Sequence, residues 1–290
     1  MQNSNFTNNG NLLQQFGGSV YVKDSHAVIQ NTTFMNNTGT DGGAIHFSCT
    51  STQNCNLTLR DINFTDNTAA RRGGALYYDF ARPSLDRVRY SNNVAVYGMD
   101  IASYPVKIKI VNSTQDDISF ENIGSGVTYP QTLHFGLYDF DDQIMVIESI
   151  DQIIISAVDT QASSVTGFNA QKLYQGVAEF DNIAFVAAPG STNILYQASS
   201  KAIDDDKIQQ VFGQSISDNN INVSFRYCEP GEIVTSDNQC RACSAGTYSL
   251  DWNSTECTNC VSNAVCNGNV QIAVDSEYWR RTTNSTKVVK

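Results

Sequence analysis

The segment that decides the fold is Phe34-Met35-Asn36-Asn37, followed by Gly42-Gly43-Ala44-Ile45-His46. An aromatic residue and a pair of amides precede a Gly-Gly pair and an apolar run, and this order recurs on both sides of the segment. The further copies are Phe6–Asn9 with Gly17–Tyr21, Phe64–Asn67 with Gly73–Tyr77, and a weaker one, Tyr90–Asn93 with Tyr97–Ile101. The aromatic positions are 28, 30 and 26 residues apart. A period of this length predicts stacked coils, each built from several short strands and turns.

Residues at equivalent positions of stacked coils lie about 4.8 Å apart, so identical residues form columns along the stack. The aromatic positions predict an internal ring column of Phe6, Phe34, Phe64 and Tyr90. The second amide of each pair predicts a ladder at an inward turn, made of Asn9, Asn37, Asn67 and Asn93. There each amide can satisfy turn backbone groups that strand pairing leaves free. The Gly-Gly pairs suit tight turns with positive φ.

This repeat resembles that of the polymorphic outer membrane proteins, whose signatures are Phe-X-X-Asn and Gly-Gly-Ala-Ile/Leu/Val. Gly42–Ile45 and Phe64–Asn67 carry the resemblance most clearly. It covers residues 1–104 and implies a right-handed parallel β-helix on a cell surface. The outer repeats depart from the pattern at Ser19 and at Tyr97-Gly98, which fits a helix that closes near Pro105. Similar repeats occur in extracellular proteins of ciliates and other protists, upstream of cysteine-rich modules.

The pattern changes after Tyr104-Pro105. Alternating or apolar runs predict strands at residues 106–110, 143–147, 152–155, 179–186, 193–197 and 219–225. Many short strands separated by turn clusters predict an antiparallel sandwich over residues 105–227. Residues 176–196 resemble the E–F hairpin of immunoglobulin-like modules in adhesins, but the inter-sheet cysteine pair of antibody domains is absent.

The tail, residues 228–290, has a rhythm of small cysteine units formed by Cys228, Cys240, Cys243, Cys257, Cys260 and Cys266. Six cysteines permit fifteen pairings. The rhythm favours disulfides between consecutive cysteines of the tail. Cys49 and Cys55 are predicted to form a disulfide across a loop inserted between coils. The tail resembles the ephrin-receptor-like cysteine-rich repeat. In proteins of that kind another cysteine often follows, so we expect the chain to continue past Lys290.

Composition excludes several classes of protein. The chain has 290 residues with 18 Lys+Arg against 29 Asp+Glu, a formal charge of −11, which disfavours a nucleic acid partner. With 41% hydrophobic and 16% charged residues it is too apolar for a disordered chain. Abundant Asn, Ser, Thr and Gly favour strands joined by short turns.

An even number of clustered cysteines indicates an oxidising compartment. Glycosylation sequons agree with this, and they occur at Asn5, Asn31, Asn36, Asn56, Asn63, Asn112, Asn222, Asn253 and Asn284. We therefore expect a secreted or cell-surface glycoprotein. Met1–Asn11 has no apolar targeting segment, which suggests a fragment of a longer secreted protein.

A metal site or a catalytic site has less support in the sequence than a structural role. Cys240-X-X-Cys243 and Cys257-X-X-Cys260 have zinc-ribbon spacing, but the flanking cysteines favour disulfides. The acidic groups Asp139–Asp142 and Asp204–Asp206 could hold calcium, although solvated loops explain them better. Parallel β-helices also house polysaccharide-active enzymes, yet Asp61, Asp66, Arg71 and Arg72 suit solvated turns, and His26, His46 and His134 are scattered. We expect no metal, no cofactor beyond attached glycans, and no enzyme.

The sequence thus predicts an all-β chain. A right-handed parallel β-helix (1–104) is followed by an immunoglobulin-like β-sandwich (105–227) and a small disulfide-rich module (228–290). We expect a non-enzymatic structural glycoprotein that assembles head-to-tail with copies of itself into a fibril. The first coil would accept a strand of a neighbour's tail, with Val270–Val274 as a candidate. The alternative is the ectodomain of an adhesin or receptor whose membrane anchor lies outside these residues; a polysaccharide-active enzyme ranks third.

Overall fold

A computed structural model describes residues 1–11, 16–50, 55–113, 118–212 and 219–290. The chain is 48% strand and 3% helix, which confirms the all-β class. No helix among the described residues has the length and apolar character that a membrane crossing needs.

The first region is built from short parallel strands. They are β1 Asn5–Thr7, β2 Val20–Lys23, β3 His26–Met35, β4 Thr38–Asp41, β5 Ile45–Ser48, β6 Asn56–Thr65, β7 Thr68–Arg72, β8 Leu76–Tyr78, β9 Ser84–Ser91 and β10 Ile101–Ala102. They stack in the orders β1-β3-β6-β9, β2-β5-β8-β10 and β4-β7, all in parallel. In the first sheet Phe6 pairs with Phe34, Phe34 with Phe64, and Phe64 with Tyr90. We number coils 1 to 4 by these residues.

The chain bends between these sheets at columns of residues with positive φ. One column is Asn8, Asn36, Asp66 and Asn92, with φ between 53° and 58°. Asn and Asp tolerate this left-handed conformation better than other residues that carry a Cβ. At the following turn Gly42 has φ 76°, and a Cβ there would lie 2.0 Å from the carbonyl oxygen of Ile45. The sequence of each turn therefore sets where the coil changes direction.

The middle region is built mainly from antiparallel strands. Its elements are β11 Pro105–Ile110, β12 Ile118–Ile123, β13 Leu133–Asp139, β14 Gln152–Ala157, β15 Ser164–Gly167, β16 Ala170–Lys172, β17 Val177–Phe180, β18 Ile183–Val186, β19 Ile194–Ser199, α1 Asp205–Phe212 and β20 Asn220–Phe225. The sheet orders are β11-β13-β17, β12-β20-β19-β14-β16 and β15-β18, and only β12 with β20 is parallel among these pairs of described strands. One apolar cluster joins them and also includes Tyr77, Phe80 and Tyr97 of the coils.

Two strand predictions in this region are wrong. Residues 143–147 turn instead of forming a strand, because Val146 donates its N–H to Ile144 and Glu148 donates to Met145. Residues 179–186 divide at the exposed pair Asp181-Asn182 into β17 and β18, which pair with β13 and β15 respectively. The predicted hairpin is also wrong, since β19 pairs with β14 and β20.

The tail consists of short antiparallel hairpins. Its strands are β21 Glu232–Val234, β22 Cys240–Ala242, β23 Thr247–Tyr248, β24 Thr258–Asn259, β25 Ala264–Cys266, β26 Ile272–Val274, β27 Trp279–Arg280 and β28 Val288–Val289, paired in sequence order. Its small core contains Tyr248, Cys266 and Ile272. The candidate donor segment Val270–Val274 contains β26, which pairs with β25 along one edge and buries Ile272.

Candidate assembly site at the end of the coil stack

The interior of the coils holds a continuous column of aromatic rings. Ring centroids lie 5.0 Å apart for Phe6 and Phe34, 5.1 Å for Phe34 and Phe64, and 5.5 Å for Phe64 and Tyr90, with the planes within 19° of parallel. Phe34 and Phe64 are completely buried, whereas Phe6 is half-buried. The rings of Phe34 and Phe64 therefore each stack with a neighbouring ring on both faces. Within the described residues, the ring of Phe6 stacks on one face only, the face toward coil 2.

The asparagine ladder beside this column has a direction. Asn37 Oδ1 accepts hydrogen bonds from the backbone N–H and the Nδ2 of Asn9, both at 3.0 Å. Asn67 Oδ1 accepts the same pair from Asn37, and Asn93 Oδ1 accepts it from Asn67. The Nδ2 groups of Asn37, Asn67 and Asn93 also donate to the carbonyl oxygens of Phe6, Phe34 and Phe64. Every inner amide thus binds the coil before it and the coil after it.

The two ends of the ladder differ. At coil 4, Asn93 Nδ2 donates to Asp100 Oδ1 at 2.9 Å, so a carboxylate takes the place of a further amide. At coil 1, the described residues offer no donor to Asn9 Oδ1 and no second acceptor to Asn9 Nδ2. The ladder is capped at coil 4 and open at coil 1.

A partly buried joint connects the end of the coil stack to the middle region. Phe140 packs against the apolar clusters of both the coils and the middle region. Next to it Asp141 accepts hydrogen bonds from the hydroxyl of Tyr78 at 2.8 Å and from Arg82 at 2.7 Å. Burial raises the pKa of Asp141. Asp139 is completely buried and accepts backbone N–H groups of Asp141 and Gln143. The prediction of a solvated acidic loop is therefore wrong here.

The edge strands at the two ends also differ. β9, at the coil 4 end, carries Asp86, Arg87 and Arg89, and charged side chains discourage pairing with another chain. β1, at the coil 1 end, has the uncharged sequence NFT. Beyond β1 and β2, no further strand of the described residues pairs with this end. Coil 1 therefore offers an unpaired strand edge that is uncharged along β1 and carries one charge, Lys23, in β2.

A second aromatic cluster lies on the outside of the coils and also reaches coil 1. Phe16 stacks on Tyr21 with centroids 4.5 Å apart, and both rings are about two-fifths exposed, 44% and 41%. Both make edge contacts with His46, which contacts Tyr77 in turn. Burial among these rings lowers the pKa of His46 to about 4. His46 is a packed neutral residue, and the exposed part of the cluster belongs to coil 1.

The cysteines form disulfides, as the sequence predicts. The bonds are Cys49–Cys55, Cys228–Cys240, Cys243–Cys257 and Cys260–Cys266, which is the consecutive order in the tail. Asp24 lies near the first bond and Glu232 near the second, but disulfide sulfurs are not the thiolates that bind zinc.

The acidic group at residues 204–206 is not a loop as predicted. Asp204 accepts the backbone N–H of Lys207, and Asp205 and Asp206 occupy the first turn of α1. Acidic residues at this position stabilise the helix terminus.

The predicted glycosylation sites are mostly accessible. Seven are exposed: Asn5, Asn31, Asn36, Asn56, Asn63, Asn112 and Asn284. Asn222 and Asn253 are half-buried, and Asn253 Oδ1 already accepts the backbone N–H of Cys228. Among the nine sequons, these two are the poorest acceptors for a glycan.

Sequence reasoning missed the residues that close the stack. Asp100 and Asp139–Asp141 cap coil 4, but their roles depend on contacts between distant segments, and no local motif marks them. The bends with positive φ carry a sequence signal, because an Asn or Asp directly precedes each ladder amide. These residues are Asn8, Asn36, Asp66 and Asn92.

Comparisons with known proteins support the repeat. Residues 31–48 and 61–79, within coils 2 and 3, match the Chlamydia polymorphic membrane protein repeat. The match confirms a repeat of this type, and repeats of this family come from outer membrane or surface proteins. No curated protein and no solved structure matches the chain.

Proposed function

We propose that this chain is a non-enzymatic extracellular structural glycoprotein, which assembles head-to-tail with copies of itself into a surface or secreted fibril. The contact would form at coil 1, which we call the head. The single observation that carries the proposal is the asymmetry of the stack. Its ladder, its aromatic column and the uncharged strand β1 are open at coil 1, while Asp100, Phe140 and the charged strand β9 occupy the other end.

Head-to-tail contacts join two different surfaces and propagate as a filament unless rotation closes them into a ring. The head accepts a strand by backbone pairing along β1 and β2. The tail of the next copy keeps its own hairpins and offers an outer strand edge, such as that of β26. Strand addition of this kind needs no unfolding of either partner.

The finer fold is part of the proposal. Parallel, in-register stacking with a period of 26 to 30 residues supports a right-handed parallel β-helix over residues 1–104. Mainly antiparallel sheets around one apolar cluster support an immunoglobulin-like sandwich over residues 105–227, although α1 and the parallel pair of β12 and β20 depart from that pattern. The disulfide hairpins of residues 228–290 support the ephrin-receptor-like module of protist surface proteins.

Extracellular location rests on two observations. Disulfides persist in oxidising compartments, and the matched repeat comes from surface proteins. Exposed sequons on the coil surface, at Asn31, Asn36, Asn56 and Asn63, would place glycans along the sides of the fibril. Glycans on the sides and the uncharged strand β1 at coil 1 favour end contacts over lateral association.

Negative-stain electron microscopy of the purified chain, beside its intact mass before and after deglycosylation, tests the proposal. We expect unbranched filaments and a large glycan mass. Tyr21→Asp puts a charge at an exposed position of edge strand β2, and we expect it to abolish filaments while the circular dichroism spectrum is unchanged. Monomers in every condition would contradict the proposal.

The second candidate is the ectodomain of a membrane-anchored adhesin or receptor. The matched repeat, which is named for a membrane protein, favours it. A monomeric chain that binds cells at a saturable number of sites would support this candidate over the fibril.

A further inference from the structure

We infer that a groove in the middle region binds a neutral oligosaccharide that contains N-acetylhexosamine. The groove lies on the outer face of β13 and β17 and has a volume of about 840 Å³. Small-molecule sites in proteins typically have volumes of about 300–1,000 Å³. The groove uses neither coil 1 nor β26, so the inference goes beyond the proposed fibril and does not depend on it.

The floor of the groove is made of polar side chains on two paired strands. His134 of β13 and Glu179 of β17 are register partners, and His134 Nε2 lies 3.5 Å from Glu179 Oε1. Alternate residues of a strand point to opposite faces of the sheet. The residues on either side of this pair are accordingly buried in the core, namely Leu133, Phe135, Ala178 and Phe180. His134 and Glu179 therefore present their side chains to a ligand at the open face.

One wall of the groove carries an exposed aromatic ring on a well-defined turn. Tyr174 is 74% exposed, and within the part of the chain that the structure describes no other ring packs against it. Tyr174 and Val177 each donate the backbone N–H to the other's carbonyl oxygen, at 2.7 and 3.1 Å. Between them Gln175 and Gly176 both have positive φ, as a type I′ turn requires. The turn therefore fixes the backbone that presents this ring to the groove.

An exposed aromatic ring beside free polar groups matches the two parts of a sugar. The face of an aromatic ring carries partial negative charge and contacts the C–H face of a pyranose, whose hydrogens carry partial positive charge. Each hydroxyl around the edge of the sugar can donate and accept a hydrogen bond. Gln171, Gln175 and Asp181 line the groove, and among the described residues their side chains have no hydrogen-bond partner. These amides and this carboxylate are available to the hydroxyls.

The charges of the groove disfavour an anionic ligand. Two carboxylates, those of Glu179 and Asp181, line it together with a single ammonium group, that of Lys172. A phosphate, a sulfate or a uronic acid would be repelled by both carboxylates. A sugar without charge avoids this repulsion and still uses the carboxylates as hydrogen-bond acceptors.

The end of the groove away from Asp181 is apolar. Val111 Cγ2 would lie 3.2 Å from a Cβ at Gly136, which is the register partner of Val177, so both valines flank the same point of the sheet. Ile144 and Val146 also line this end. A hydroxyl buried here would lose its hydrogen bonds to water without gaining others, which is unfavourable.

An acetamido group fits this combination of polar floor and apolar end. Its methyl group can contact the aliphatic side chains, while its N–H and carbonyl can bind the polar groups of the floor. A sugar ring that carries only hydroxyls lacks the apolar part. N-acetylhexosamine is therefore the sugar that the lining favours.

The experiment titrates the full chain with two trisaccharides of the same β-1,4 linkage. N,N′,N″-triacetylchitotriose carries an acetamido group at C2 of each ring, and cellotriose carries a hydroxyl there. Any N-linked glycans of the chain are removed first, so that they do not compete. Isothermal titration calorimetry measures the affinity, and amide shifts of the ¹⁵N-labelled chain locate the site.

We expect the acetylated trisaccharide to bind about tenfold more tightly than cellotriose, with shifts at residues 132–134, 144–146 and 171–181. Tyr174→Ala should weaken its binding by about tenfold, whereas Tyr174→Phe, which keeps the ring, should bind nearly as tightly as the unsubstituted chain. The matched control is Trp252→Ala, which removes a ring of similar exposure, 62%, from the tail and should leave the affinity unchanged.

The inference would be overturned by the absence of binding, by equal affinities for the two sugars, or by shifts confined to other residues. An equal loss of affinity in Tyr174→Ala and Trp252→Ala would overturn it as well, because the ring at the groove would then have no special role. Filaments without sugar binding would remove this inference alone. Sugar binding by a chain that stays monomeric would support it and remove the fibril.

Discussion

Coils 1 and 4 have the same design but opposite surroundings. Both contribute one ring to the aromatic column and one amide to the ladder. Coil 4 ends against Asp100, Phe140 and the charged strand β9, whereas coil 1 ends in a half-buried ring, an amide with unused groups and an uncharged strand. A repeat that binds its neighbour on both sides must be closed at an end or be joined there. In the proposed fibril, this difference places the interaction surface at coil 1.

The largest expected difference between an inner coil and coil 1 is the loss of unfolding free energy when a ladder asparagine is removed. Asn67→Ala removes a completely buried amide and leaves the N–H of Asn37 and the carbonyl of Phe34 without partners, which should cost about 3–5 kcal/mol of unfolding free energy. Asn9→Ala removes a hydrogen bond at the exposed end and should cost about 1 kcal/mol. Urea unfolding of both variants measures the contrast, and equal costs would contradict an open end.

The buried histidine gives a pH-dependent effect of similar size. The pKa of His46 falls from 6.5 unfolded to about 4 folded, so the unfolded chain takes up the proton first. Stability is therefore lost as pH falls from 6.5 to 4, by about 3 kcal/mol. His46→Phe should remove this loss, and His134→Gln, at an exposed site, should not. The raised pKa values of Asp79 and Asp141 act in the opposite direction but are common to all three proteins.

Unfolding curves of these proteins between pH 7 and pH 4 give the comparison. If the unfolding free energy of His46→Phe depends on pH in the same way as that of the unsubstituted protein, the pKa shift of His46 does not cause the loss of stability at low pH.

The closed end depends on the joint around Asp141. Asp141→Ala leaves the buried hydroxyl of Tyr78 without its acceptor and should cost about 2 kcal/mol. Hydrogen exchange should also become faster at residues 90–102. The matched control is Asp142→Asn, which tolerates the positive φ of 59° at this position and removes the exposed carboxylate that pairs with Lys107 and Lys109. It should change stability by about 0.5 kcal/mol or less. Similar exchange in both variants would mean that the joint does not close coil 4.

The smallest expected effect comes from the charges of β9. Replacing Arg87 by Asn, which tolerates the positive φ of 51° at this position, and Arg89 by Gln removes both cations of this edge, and we expect a several-fold increase in self-association by sedimentation velocity. The control replaces Lys287 and Lys290 by Thr, which changes net charge equally at exposed tail positions. An unchanged sedimentation profile would show that the charges do not protect the edge.

Features that recur along the chain could be predicted from the sequence, whereas contacts that occur once could not. Phe6, Phe34 and Phe64 recur at regular intervals, so their stacking followed from period alone. Consecutive cysteine pairing followed from spacing as well. The cap at Asp100 and the joint of Asp139 with Asp141 arise from segments distant in sequence, and no local pattern encodes such contacts. For the same reason the pairing partners of β17, β18 and β19 were wrong: alternation identifies a strand but not its neighbour.

The most direct test of the open head compares two equivalent positions in the assembled protein. Thr7 and Ser91 occupy the same register position in coils 1 and 4, and both are exposed. A photo-crosslinking amino acid is introduced at one or the other, and intermolecular products are quantified by mass spectrometry. The account predicts crosslinks to a second chain from position 7 and none from position 91. Equal yields, or products from position 91 alone, would contradict it.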